Sequence, residues 1–155
     1  MEEERAGTIA DHLGGRDLRV AVAESLTGGM ISSSLAKAPG ASSWLAGGVV
    51  AYMSHVKHEV LGVEQGPVVT EEAALQMARG VARLLGADVA VSVTGVGGPD
   101  PEEGKPPGTV WVALCSGERA EAHQLRLEGD PPTVCRAACE EALRLLEEHL
   151  SADGG

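Results

Sequence analysis

"LRVAVAESLTGG", residues 18–29, decides how this chain is read. Its first six residues alternate valine with small or polar neighbours in a short apolar run, the pattern of a buried strand. At Glu24 the run stops, and Gly28 and Gly29 follow almost at once. The next stretch, "TGGMISSSLAKA", reads as a helix that ends before Pro39-Gly40. A buried strand passing straight into a helix is the opening of an α/β unit. Ser25 stands at the junction, where two roles compete. A serine here caps the helix, or it is a nucleophile held at a strand end.

The rest of the chain repeats the alternation. Residues 2–13 have the spacing of an amphipathic helix stopped by Gly14-Gly15, and "LAGGVVAYM" (45–53) is a second strand. "HVKHEVLG" is a short helix closed by Gly62. "TEEAALQMARGVARLLG" (70–86) carries every helix signal: Thr70 as cap, acids in the first turn and Gly86 at the stop. "DVAVSVT" (88–94) gives a third buried strand, and the Gly/Pro-rich residues 95–108 form a loop. A hairpin turns at Ser116-Gly117. Asp130, Pro131 and Pro132 then start a final helix that runs to about Leu150, leaving residues 151–155 frayed. The order predicts one domain over residues 1–155, with its core at about 16–150. Its fold class is a three-layer α/β/α sandwich on a mixed, mostly parallel sheet.

Composition narrows the function. The chain has 155 residues, enough for a single core, with 43% apolar and 23% charged residues. Phe is absent, Tyr occurs once and Trp twice, so the aromatic platforms of single-strand nucleic-acid binders are missing. A formal net charge of −11 repels phosphate backbones and anionic lipid. Neither nucleic acid nor membrane is therefore an expected partner. Three cysteines without framework spacing and an acidic amino-terminal stretch without signal-peptide character predict a cytoplasmic protein.

Ligands in open α/β sheets gather at the carboxyl ends of strands. That rule points to residues 24–29, 52–57 and 94–99. A serine nucleophile needs a base, and Lys57 follows the second strand closely enough to approach the end of the first. Such a base needs a pKa well below the ordinary ~10.4 of lysine. His12, His123 and His149 fall on the terminal helices and the outer hairpin, where they are expected to face solvent. "SLAK" (34–37) and "SHVK" (54–57) match S-x-x-K, but the partner motifs of penicillin-binding enzymes are absent. His55, His58 and Glu59 lack an obvious further metal ligand, so no metal is expected. Cys135 and Cys139 share a helix face and suit core packing. The Thr27-Gly28-Gly29 helix start and "TGVGGP" (94–99) offer backbone N–H groups to an anion, or are simply tight turns.

Taken together, "AESLTGG", "PGASSWLAGGVVAYMSHVKHEVLGV", "MARG", "VTGVGGP" and "KPPGTVWVAL" stand in the order and spacing of the CinA C-terminal domain family. The resemblance runs from about Leu18 to Leu114 and more loosely to Leu150. Enzymatic members of that family are nicotinamide-nucleotide amidohydrolases (PncC-type NMN deamidases). The resemblance implies hydrolysis of the carboxamide of nicotinamide mononucleotide (NMN), without metal or cofactor. It carries the family's serine onto Ser25, its lysine onto Lys57 and a tyrosine onto Tyr52. Glu24, Thr27, Gly28, Gly29, Gly48, Thr94, Gly95, Gly97, Gly98 and Lys105 become the expected substrate-binding set, and a homo-oligomer is the expected state. The chain departs from the family pattern at Leu26, at Met53-Ser54 and before the last helix. Pro131 and Cys135 stand there where the family carries arginines, which leaves Lys105, Arg126 and Arg136 as candidate phosphate cations. A ligand-binding module without catalysis is the alternative reading.

Overall fold

The structure is a computed structural model and describes residues 2–154. The chain runs α1 (Glu2–Leu13), β1 (Val20–Glu24), α2 (Met30–Ala36), α3 (Ala41–Trp44), β2 (Leu45–Val50), α4 (Ser54–Leu61) and α5 (Glu71–Leu85). It continues with β3 (Val89–Gly95), β4 (Thr109–Ser116), β5 (Arg119–Arg126) and α6 (Pro131–Gly154). The five strands form one sheet in the order β2-β1-β3-β4-β5. β1 pairs in parallel with β2 and β3, whereas β4 is antiparallel to both β3 and β5. Four strands therefore run one way and β4 opposes them. This is the expected mixed sandwich.

The strand sequences sort side chains by size. Val20 and Val22 of β1, Val89, Val91 and Val93 of β3, and Val110, Val112 and Leu114 of β4 face one way. They meet the apolar stripes of α1, α2 and α6 there. The alternate positions, Ala21, Ala23, Ala90, Ala113 and Cys115, face α5 on the other side. Small residues on that face let α5 sit close through Ala73, Ala74, Met77 and Ala78. α5 itself starts as its sequence dictates, with Thr70 accepting from the Ala73 amide at 3.0 Å.

Four local expectations change. α2 begins at Met30 and not at Thr27, because Gly28 (φ 58°) and Gly29 (φ 107°) are both left-handed and cannot continue a right-handed helix. One helical turn, α3, follows Pro39-Gly40; four residues are too few to show a period. β2 stops at Val50, so Tyr52 and Met53 lie beyond the strand. α6 continues through residues 151–154, where a frayed end was expected, since Ser151 and Ala152 extend a helix without strain. Gly155 lies outside the described residues.

Candidate active site

Glu24 ends β1 wholly buried, and its carboxylate turns toward the start of α2. Oε1 accepts from the Thr27 hydroxyl (2.6 Å) and from the amides of Gly29 (3.2 Å) and Ile31 (3.0 Å). Oε2 accepts from both the amide (2.8 Å) and the hydroxyl (2.7 Å) of Ser32. The first-turn amides of α2, which have no partner inside the helix, are thus capped from a neighbouring strand. The capping group at this junction is Glu24, and Ser25 does not fill that role. Glu24 and Thr27 were expected to bind substrate. The structure instead has them occupied in holding the turn, and neither lines the cavity described below.

Gly48 also falls elsewhere than expected. It pairs with Val22 on edge strand β2, and a Cβ there would come within 2.1 Å of Ser32 Oγ. Its lack of a side chain lets α2 approach the sheet with the Glu24-bound hydroxyl between them. Gly28 and Gly29 shape the same turn and stay off the cavity wall.

Ser25 turns the other way. It is 6% exposed and lines a cavity of about 690 Å³ at the carboxyl ends of β1 and β3. Lys57, from the end of the first turn of α4, lines the same cavity and is 2% exposed. The two residues come from separate segments, and the fold brings them to one space. Lys57 Nζ donates to the Tyr52 carbonyl at 3.0 Å, which fixes the end of the side chain. Among the described residues the Ser25 hydroxyl has no hydrogen-bond partner, Lys57 Nζ included. Burial pushes the Lys57 ammonium below the ordinary lysine range, and the carboxylates of Glu102 and Glu103 pull it partly back. Tyr52 lies at the mouth, 66% exposed, and its carbonyl is the group that orients the lysine.

Thr94, Gly95, Gly97 and Gly98 line the cavity from the end of β3. The Thr94 hydroxyl donates to the Val68 carbonyl (2.8 Å), tying β3 to the segment that leads into α5. Beyond them Asp100, Glu102 and Glu103 close one side, residues that sequence reasoning did not single out. The signal was present as "PDPEE" next to the glycine loop, but acids in a Gly/Pro-rich stretch read as solvated turn. Glu103 holds its place by accepting from the amides of Val68 (2.8 Å) and Val69 (2.9 Å). The Lys105 ammonium bonds the Val69 carbonyl and does not line the cavity; nor do Arg126 and Arg136.

No group of three or more metal-ligating side chains occurs among the described residues. His58 bonds the Val63 carbonyl through Nδ1 at 3.0 Å. Cys135 Sγ donates to the Leu26 carbonyl at 3.0 Å, so α6 braces the residue next to Ser25. No helix among the described residues is long and apolar enough to cross a membrane.

Comparison with known proteins points to one family and one fold. Residues 2–150 match the model of the CinA C-terminal domain. A CinA-like protein of Frankia casuarinae is 39% identical over 150 residues, covering 94% of this chain and 35% of that protein. The chain spans about a third of the length of the curated relatives it matches. Among solved structures, a competence-damaged protein (CinA) superfamily protein from Klebsiella pneumoniae superposes with a TM-score of 0.93 at 31% identity, covering 98% of this chain and 99% of its own. One from Escherichia coli gives 0.91 at 32% identity, covering 96% and 90%.

Proposed function

We propose that this chain, which belongs to the CinA C-terminal domain family, hydrolyses the carboxamide of NMN to nicotinate mononucleotide and ammonia. One observation carries the reading: a buried serine hydroxyl without a partner shares a cavity with a buried lysine whose charge burial disfavours. A neutral amine that donates one N–H to the Tyr52 carbonyl keeps its lone pair free for the serine proton. Lys57 is thereby oriented, and burial eases loss of the proton that blocks its lone pair.

In this mechanism Ser25 Oγ attacks the carboxamide carbon while Lys57 Nζ takes the hydroxyl proton. The tetrahedral oxyanion lies toward the backbone N–H groups of the Gly97-Gly98 turn. Collapse breaks the C–N bond, and Lys57 returns its proton to the departing ammonia. Water then attacks the acyl-serine with Lys57 again as base, releasing the carboxylate and restoring Ser25. Thr94, Gly95, Gly97 and Gly98 shape the substrate's side of the cavity.

Ammonia release from NMN by the purified chain tests the reading. The expected result is turnover by the wild type and a loss of at least about 10³-fold in Ser25→Ala. Equal rates for the two proteins, or binding of NMN with no wild-type ammonia, would instead support the non-catalytic module.

A further inference from the structure

The cavity wall is unevenly charged. Asp100, Glu102 and Glu103 stand along one edge, and among the described lining residues Lys57 is the one cation. Three acids against one lysine leave the wall net negative even with that lysine charged. The acidic edge is also held in place. Glu103 is tied to the Val68 and Val69 amides, and Glu102 and Lys105 exchange backbone hydrogen bonds of 3.1 and 2.8 Å. Ser25, nine-tenths buried and without a hydrogen-bond partner for its hydroxyl, opens into the same space. A buried polar group left unpaired in a cavity marks where a ligand's polar atom belongs.

Ser25 and these acids line one cavity, so a ring carried on a carboxamide at Ser25 shares its space with them. An anionic or electron-rich group there meets like charge, whereas a cation is attracted. In an N-substituted pyridinium carboxamide the ring nitrogen is positive and lies only one ring width from the amide carbon. We propose that Asp100 and Glu102 form a cation-recognition edge, by which the site selects oxidised, positively charged pyridinium carboxamides over their neutral dihydropyridine forms. The inference rests on the hydrolase reading only for placing the carboxamide at Ser25. Both carboxylates are exposed, so each contributes modestly and salt weakens it.

The test is calorimetric titration of oxidised and reduced NMN into the Ser25→Ala protein, where hydrolysis does not consume the ligand. The oxidised form is expected to bind about threefold to tenfold tighter, the range for partly exposed charge pairs. That preference should shrink toward parity in Ser25→Ala carrying Asp100→Asn and Glu102→Gln, and likewise at high salt. Glu103 is left unchanged because its carboxylate holds the loop. Equal affinity for the two forms, no binding of either, or a preference that survives the added substitutions overturns the proposal. Ammonia release by the wild type is read separately. A cation preference with no wild-type turnover sinks the hydrolase reading and leaves the recognition edge standing.

Discussion

Glu24 and Ser25 are adjacent at the end of β1, both are buried, and the fold treats them in opposite ways. Glu24 accepts five hydrogen bonds from the turn and first residues of α2. Ser25, one residue on, points into an open cavity with its hydroxyl unpaired among the described residues. Residue type alone suggests the reverse, since a buried carboxylate is the more expensive group and the more usual sign of chemistry. What separates them is satisfaction. A buried carboxylate with its lone pairs engaged is structure, and an unpaired hydroxyl lining the same cavity as a buried lysine is open to a ligand.

That contrast can be broken from either side. The largest effect falls on chemistry: Ser25→Ala should abolish ammonia release while leaving the unfolding free energy from urea titration within about 0.5 kcal/mol of wild type, because no hydrogen bond is lost. Glu24→Ala should do the opposite at the level of the fold. It strands three amides and two hydroxyls, and roughly 2–4 kcal/mol of stability should disappear in equilibrium unfolding. A Glu24→Ala protein as stable as wild type removes the structural half of the comparison. Smaller again is Gly48→Ala, whose new methyl meets the Ser32 hydroxyl that bonds Glu24. A loss of about 1–3 kcal/mol is expected from that overpacking, and an unchanged midpoint would mean α2 has room to withdraw.

The subtlest probe is pH. The lowered Lys57 pKa means the ammonium gives up its proton below the ordinary lysine range, so kcat/KM should rise with pH on a limb centred there. Glu102 raises that pKa. Removing its charge in Glu102→Gln should therefore lower the pKa further and move the limb to lower pH. A limb that moves upward, or one centred at the ordinary lysine value, contradicts the assignment of Lys57 as base.

Much of this was legible in the residues, and the misses have a common cause. The apolar runs of β1 and β3 were readable as buried strands, and Thr70 and Gly86 bounded α5 from local signals alone. The pairing of Ser25 with Lys57 in one cavity followed from the strand-end rule together with the family resemblance. Glu24, Thr27 and Gly48 were harder, because their roles depend on α2 lying across the sheet edge, a contact between segments that no spacing along the chain records. Asp100 and Glu102 were missed for the same reason. Only the folded loop turns a polar run into a wall.

The most direct measurement is a double-variant cycle on ammonia release with Ser25→Ala, Lys57→Ala and the two combined. A nucleophile and base acting as one unit predict that the combined variant is scarcely slower than the worse single one. Losses that multiply would show the two side chains acting independently, and the account of a Ser25–Lys57 dyad would be wrong.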